Sequence, residues 1–222
     1  MFLQPLLVFT VATSWTPAKL EQLKYVVYQR EKKEDDFEKA GTMTDETTGG
    51  DDDGYVEEYT LNYAKSKNTK HVILHYDKNG IESSKSIEIE DGETTVKFKA
   101  TMDDDGAKVT AWVNDQKVEK TFPLATKTSR ADPTDFWFKK VKPAVGDSVT
   151  VQEFDPEEGK WSDATLKFVG RKKIKMGDSE VELNEIDRHA ADDDMVIFVD
   201  DKGDLVRMEN VGGTFRIDRE NP

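Results

Sequence analysis

The sequence predicts an all-β fold, in which a long antiparallel meander curls into a half-barrel or open β-barrel with one short helical plug near residues 132–140. Three observations indicate this. Turn pairs such as Asn79-Gly80, Asp91-Gly92 and Asp105-Gly106 recur along the chain, at intervals of roughly 8–15 residues that are typical of hairpins. Apolar and polar residues alternate between the turns, as they do in half-buried strands. No amphipathic helix of useful length interrupts this pattern.

The length, net charge and cysteine count of the chain exclude several classes of function without identifying one. The chain has 222 residues, a formal net charge of −14 and no cysteine. Its length allows one domain, residues 19–222, with a sizeable core. The acidic excess excludes nucleic acid as a partner, because binding to phosphate requires clustered Lys and Arg. The absence of cysteine excludes disulfides, thiolate metal sites and a cysteine nucleophile.

The N-terminal segment Met1–Ala18 is the longest apolar run of the chain. Leu6–Val11 has the character of the apolar region of a signal peptide, and small residues near Ser14 and Ala18 offer cleavage sites. We therefore expect export to the periplasm or the medium. The alternative is a first strand that packs on the core of a cytoplasmic protein. The run is too short, and too interrupted by Pro5 and Trp15, for a transmembrane helix.

Strands are expected in order from Tyr25 onward. Tyr25–Tyr28 predicts the first strand of the domain. Glu31–Gly54 is acidic, rich in Thr and Gly and nearly devoid of large apolar side chains, so we expect a long mobile loop there. Tyr55–Tyr63 alternates as a half-buried strand does, whereas His71–Tyr76 is apolar on both faces and indicates a more central strand.

The alternation continues to the end of the chain and is interrupted only by the predicted plug. We expect roughly eleven to thirteen strands in all, too many for a flat sheet, so the sheet must curl to cover its apolar face. The later strands are predicted around Ile87–Ile89, Val96–Met102, Val109–Val113, Val118–Phe122, Ser148–Phe154, Ala164–Phe168, Val181–Ile186, Val196–Val199, Leu205–Met208 and Phe215–Ile217.

A short helix is predicted where the pattern breaks. Asp132 is suited to the N-cap, Pro133 to the first helical position and Asp135 to the exposed backbone N–H groups of the first turn. Three aromatic residues, Phe136–Phe138, follow. Pro143 ends the helix. We interpret this helix as a plug that joins two antiparallel halves of one domain.

Aromatic residues near the plug are the candidate ligand-binding residues. A curled sheet can enclose an apolar cavity, and side chains of this type would line or cap it. The alternative is that the same residues only fill the core. The candidates are Trp112, Phe136, Trp137, Phe138, Phe154 and Trp161.

Catalytic and metal-binding patterns are absent from the sequence. It contains no Gly-x-Ser-x-Gly elbow and no phosphate-binding glycine loop. The consecutive aspartates of Asp51–Asp53 and Asp103–Asp105 lack the spacing of a calcium loop and fit solvated turns. His71 and His75 would lie roughly 13 Å apart on a strand, too far to share a metal. We therefore expect no cofactor, no metal site and no catalysis; an unrecognised hydrolase is the remaining enzymatic alternative.

Several turn and core motifs stand out along the second half of the chain. They are Asp132–Phe138, Val141–Pro143, Gly146-Asp147, Phe154–Pro156, Phe168–Arg171, Asp200–Glu209 and Gly213–Phe215. Together these motifs resemble a bacterial family of exported β proteins of unknown function, which is broadly similar in fold to the periplasmic lipoprotein carriers. The resemblance implies a curved antiparallel half-barrel and export, and it supplies no catalytic residues. The expected function is a non-catalytic domain that binds a hydrophobic small molecule or lipid on its concave face. The alternative is a structural component of the cell envelope with a protein partner.

Overall fold

In the computed structural model, the described residues form fourteen antiparallel strands in one continuous sheet. The structure describes residues 22–50, 54–114, 116–124, 133–191 and 194–220, with the backbone alone at 50 and 133–136. One helix, Pro133–Val141, accompanies the strands. The predicted fold class, an antiparallel all-β half-barrel with one short helix, is therefore confirmed.

The first eight strands precede the helix. They are β1 (Leu23–Gln29), β2 (Glu38–Gly50), β3 (Gly54–Tyr63), β4 (Thr69–Tyr76), β5 (Glu82–Asp91), β6 (Thr94–Asp103), β7 (Gly106–Val113) and β8 (Gln116–Pro123). The remaining six follow it. They are β9 (Ser148–Asp155), β10 (Lys160–Met176), β11 (Ser179–Ala190), β12 (Met195–Val199), β13 (Leu205–Asn210) and β14 (Phe215–Arg219).

The order of strands in the sheet follows the chain with one exception. Consecutive strands pair with one another except β8 and β9, and β1 additionally pairs with β14, so that Val27 lies opposite Ile217. The strands β8 and β9 are therefore the two edges of the described sheet. These edges are consecutive in the chain, and the helix lies in the segment that connects them.

The prediction of a mobile loop over residues 31–54 is wrong for Glu38–Gly50, which forms β2. Residues 38–45 of this strand pair with β1 on one side, and residues 41–50 pair with β3 on the other. Two ladders of backbone hydrogen bonds compensate for its few apolar side chains, of which Ala40 and Met43 are buried. With this additional strand, the described sheet has fourteen strands, where eleven to thirteen were predicted.

The predicted plug helix is present as a π-type helix over Pro133–Val141. It ends where expected: Lys142 has a left-handed φ of 47°, and Pro143 cannot continue the helical hydrogen bonding. The predicted N-cap Asp132 and the segment Met1–Ala18 lie outside the described residues. Within the described part of the chain, no helix has the length and apolar character needed to cross a membrane.

The core lies on the inner face of the curled sheet. Its middle is built around Tyr25, Val27 and Ile217 of the neighbouring strands β1 and β14. On one side of this middle, Tyr55, Val72 and Ile87 form the inner face of β3–β5. On the other side, the core of β9–β12 contains Val151, Leu166, Phe168, Ile186 and Ile197.

A smaller core lies on the outer face. The long β10–β11 hairpin changes register between Phe168 and Gly170, where Gly170 has a φ of 130°. Beyond this irregularity, Ile174 and Leu183 pack with Phe198 and Val206. Arg207, which is 9% exposed, donates a hydrogen bond to the carbonyl oxygen of Lys175 at 3.2 Å. The hairpin therefore covers the outer face of β12 and β13.

Candidate functional site

The tip of the β9–β10 hairpin packs against the inner face of β5–β8. Phe154 of this tip is 1% exposed and packs with Ala100, Met102, Ala107 and Val109 of β6 and β7. The Lys85 ammonium donates a hydrogen bond of 3.1 Å to the Phe154 carbonyl oxygen. The inner face of this part of the sheet is thus covered by a segment of the chain itself.

Three aromatic rings join the hairpin tip to the edge strand β8, and we call them the seam cluster: Phe122, Phe154 and Trp161. The ring centroids of Phe154 and Trp161 are 5.0 Å apart, and those of Phe122 and Phe154 are 5.5 Å apart. The indole N–H of Trp161 donates to the carbonyl oxygen of Phe122 at 3.3 Å. The cluster therefore connects the two edges of the sheet through side chains rather than through a strand ladder.

The plug helix also contacts both halves of the sheet. Trp137 is buried against Val151 and Leu166 of β9 and β10. The Lys139 ammonium lies 2.9 Å from Asp204 in the turn before β13. The Lys140 ammonium donates to the carbonyl oxygen of Lys78, in the turn between β4 and β5, at 3.2 Å.

One pocket of about 260 Å³ remains beside the hairpin tip, and we call it the side pocket. One wall comes from β3–β5, with Tyr59, Lys70, Lys85 and Ile87, and the facing wall comes from β9–β11 and their turns. Its charged lining is balanced between four cationic and four anionic side chains. These are Lys70, Lys85, Lys160 and Arg188, and Glu153, Asp155, Glu157 and Glu158.

Ion pairs cross and flank the side pocket. The Lys70 ammonium hydrogen-bonds the Glu157 carboxylate, which links β4 to the β9–β10 turn. Arg188 donates to Glu153 at 2.7 Å on the facing wall. Behind the pocket, Lys85 lies 3.3 Å from Glu82, which is 8% exposed. A ligand with a single charge would have to displace one of these partners and leave the other unpaired.

The phenol of Tyr59 is held in its protonated form. Burial raises the pKa of Tyr59 above its usual value, and the negative charges of Glu57, Glu82, Asp45 and Glu157 raise this pKa further. The hydroxyl is consequently a stable hydrogen-bond donor and acceptor at neutral pH, and a poor proton acceptor or nucleophile.

The structure divides five of the six predicted ligand-binding residues among three places. Phe154 and Trp161 lie in the seam cluster, and Phe154 also lines the side pocket. Trp137 and Phe138 pack in the core of β9–β12, where Phe138 meets Phe168 edge-on at 5.3 Å. Trp112 lies on the outer face of β7, and the side chain of Phe136 lies outside the described residues.

Sequence reasoning missed the polar residues of the side pocket. Lys85 shares the alternation of Ile87 and Ile89, and Arg188 shares that of Ile186, so each is a charged residue at an inward position. A charge in phase with buried residues was the available signal. Phe122 was predicted only as a strand residue, because a contact between distant hairpins leaves no local pattern.

Metal-ligating side chains do not converge in the described residues, where no group of three His, Asp or Glu could hold an ion. His71 pairs instead with Glu58 at 2.9 Å, and His189 lies 3.3 Å from Asp194. His75 lies on the same strand as His71, at an exposed position.

Comparison with known proteins identifies a shared fold and no established activity. No protein-family model matches the chain, and no curated protein matches its sequence. A β-barrel-like protein of a domain of unknown function, DUF1849, from Brucella abortus is similar in structure, with a TM-score of 0.55 and 12% identity over 90% of this chain and 95% of that one. A DUF1089 family protein from Pseudomonas aeruginosa gives a TM-score of 0.41 and 11% identity over 74% of this chain and 87% of that one. The chain thus has a β-barrel-like fold that occurs in an uncharacterised protein of another sequence.

Proposed function

We propose that the protein is an exported, non-catalytic β domain that binds a small amphipathic ligand in the side pocket. The observation that carries the proposal is the composition of this pocket. Ile87 and Phe154 provide an apolar surface, while Lys70, Arg188 and the facing carboxylates provide charges of both signs. Such a lining complements a ligand that combines an apolar group with a zwitterionic one.

The size of the pocket narrows the ligand class. Its volume of about 260 Å³ lies just below the range of roughly 300–1,000 Å³ that is typical of drug-sized sites. A complete two-chain lipid does not fit this volume, whereas a zwitterionic headgroup with a short apolar chain does. The lipid-like ligand expected from the sequence is accordingly reduced to a small molecule of this kind.

The binding test uses hexylphosphocholine as the probe, with hexyl sulfate and hexyltrimethylammonium as matched probes of single charge. Isothermal titration should show the tightest binding for the zwitterion. Arg188→Gln should weaken that binding at least tenfold, because it removes a cation that faces the pocket. Lys120→Gln, at an exposed position of β8 outside the pocket lining, is the matched control and should bind as the wild type does. Equal affinities for all three probes, or wild-type affinity in Arg188→Gln, would overturn the proposal.

Export is tested separately. The support for it is the apolar segment Met1–Ala18, which has the composition of a signal peptide. The full chain with a C-terminal tag should lose its first 14 to 18 residues in a bacterial host, with cleavage near Ser14 or Ala18. Intact mass spectrometry of the fractionated protein measures this loss. An intact N-terminus in the cytoplasmic fraction would contradict export and leave the binding proposal standing.

A second candidate function, a structural or interaction component of the cell envelope, is favoured by the edge strand β8. It has no second strand neighbour among the described residues, and Val118 is 53% exposed. A free edge accepts a strand from another protein through backbone hydrogen bonds. A photo-crosslinking residue at Glu119 should then give a discrete adduct in cells, while the same residue at the exposed Lys173 of β10 should not. The absence of an adduct at 119 would remove this candidate.

A further inference from the structure

Trp112 is an aromatic residue that lies outside the hydrophobic core of the described residues. It lies on β7 between Lys97 of β6 and Lys117 of β8 in the strand register. Val109 of the same strand points to the inner face and packs in the core with Phe154. Trp112, three positions further on, therefore points to the outer face. It is partly exposed, and it belongs to none of the hydrophobic clusters of the described residues.

A depression of about 380 Å³ adjoins Trp112. Its remaining lining is polar and consists of Glu93, Thr95, Lys97 and Asn114. These side chains include a carboxylate acceptor, a hydroxyl that both donates and accepts, an ammonium donor and an amide with both functions. An aromatic surface therefore lies within a rim that can satisfy many hydrogen bonds of either direction.

The charges around Trp112 are largely compensated. The Lys97 ammonium lies 2.8 Å from Glu88, and the Lys117 ammonium lies 2.5 Å from Glu119. The carboxylate of Glu93 then leaves the rim slightly negative, in a chain whose net charge is −14. This balance disfavours nucleotides and anionic lipids, and the flanking lysines disfavour an organic cation above the ring.

We infer that Trp112 is the platform of a binding site for neutral saccharides. A pyranose ring presents C–H groups on one face, which pack against the negative face of an indole. The hydroxyl groups at the edge of the pyranose ring can both donate and accept hydrogen bonds. They therefore complement the side chains of Thr95, Asn114 and Glu93 around Trp112. This site lies on the outer face of β6 and β7 and is independent of the ligand proposed for the side pocket.

The test measures binding of neutral oligosaccharides to the complete protein. Maltohexaose, cellohexaose and chitohexaose are titrated while the indole N–H signals are followed by two-dimensional NMR; Trp112→Phe identifies the Trp112 signal. Saturable shifts of that signal by at least one of the three sugars are expected. Trp112→Ala should weaken the binding at least tenfold, and Trp112→Phe, which keeps an aromatic ring, should retain more of it.

Thr95→Val serves as a second variant in case Trp112→Ala fails to fold. It keeps the platform and removes one hydroxyl of the rim, so a several-fold loss of affinity is expected. Arg188→Gln, which alters the side pocket, should bind the sugars as the wild type does. The inference would be overturned if none of the three sugars shifted the Trp112 signal at about 10 mM. Unchanged affinity in the folded Trp112→Ala and Thr95→Val variants would overturn it as well.

Discussion

The indole N–H of Trp161 donates a hydrogen bond of 3.3 Å to the carbonyl oxygen of Phe122. This bond joins β10 to β8, the strand that ends the sheet on the opposite side. At this point the two edges of the described sheet are therefore joined by the Trp161 indole and its tilted contacts with the rings of Phe154 and Phe122, without a continuous strand ladder.

Replacing Trp161 by Phe should lower the free energy of unfolding by about 0.5–1.5 kcal/mol for the lost hydrogen bond, with a further small loss for the smaller ring. Urea denaturation measures the change. Trp112→Phe is the matched control, because Trp112 lies outside the hydrophobic clusters and should lose less. Equal losses in the two variants would show that the bond between Trp161 and Phe122 does not stabilise the fold.

Replacing Trp137 by Ala should destabilise the protein by about 3–5 kcal/mol, the scale for loss of a large buried aromatic side chain. Trp137 is 7% exposed and packs with Val151 and Leu166. Val141→Ala, in the same helix but 63% exposed, should change the unfolding free energy by less than about 0.5 kcal/mol. Normal stability of Trp137→Ala would mean that the plug helix is not part of the core.

Replacing Gly106 by Ala should be far more costly than the same change at Gly92. Gly106 has a φ of 144°, and a Cβ atom there would overlap the carbonyl oxygen of Phe122 on the paired strand. Gly92 has a φ of 61° with open space around it, so Ala there bears only the backbone cost of about 1 kcal/mol. Thermal unfolding of both variants measures the difference. Similar melting temperatures would contradict the close approach of β7 and β8 at Gly106.

Replacing Tyr59 by Phe should reduce the loss of stability at alkaline pH. Because the pKa of Tyr59 is raised in the folded protein, the unfolded chain releases this proton first as the pH rises above about 10. The contribution to stability is then complete below that pH and falls above it, by up to about 1.4 kcal/mol per pH unit. Tyr63, whose pKa burial also raises, is present in both proteins and cancels in the comparison. Parallel pH profiles from urea denaturation would contradict the burial of the phenol.

The local parts of the fold could be predicted from the sequence, whereas the remote contacts could not. Alternation located strands such as Gly54–Tyr63, and the turn pairs located the hairpins at Gly80, Gly92 and Gly106. Pro133 and Pro143 located the helix. These signals are short-range properties of backbone and side chain.

The strand β2 and the seam cluster show what local signals omit. Glu38–Gly50 is too polar to be recognised as a strand on its own, and it is stabilised by the two strands that flank it. Phe122 and Trp161 meet only because two distant hairpins cross. Of the main residues of the side pocket, the sequence predicted only Phe154 as a ligand-binding residue. Tyr59, Lys85 and Arg188 were missed because they come together from separate strands.

The pairing of β1 with β14 has a consequence for how the chain folds. The Tyr25 hydroxyl donates to the Leu205 carbonyl oxygen, 180 positions away, while every other strand pair joins chain neighbours. Closing so long a loop is entropically slow. The backbone N–H of Glu220 already meets the carbonyl oxygen of Lys24 at 2.7 Å. A circular permutant could join Glu220 to Lys24 and place its new ends between residues 125 and 132. Every strand would keep its neighbours, and β14 and β1 would become consecutive in the chain. Each strand pair would then be a hairpin, so the contact order would be lower.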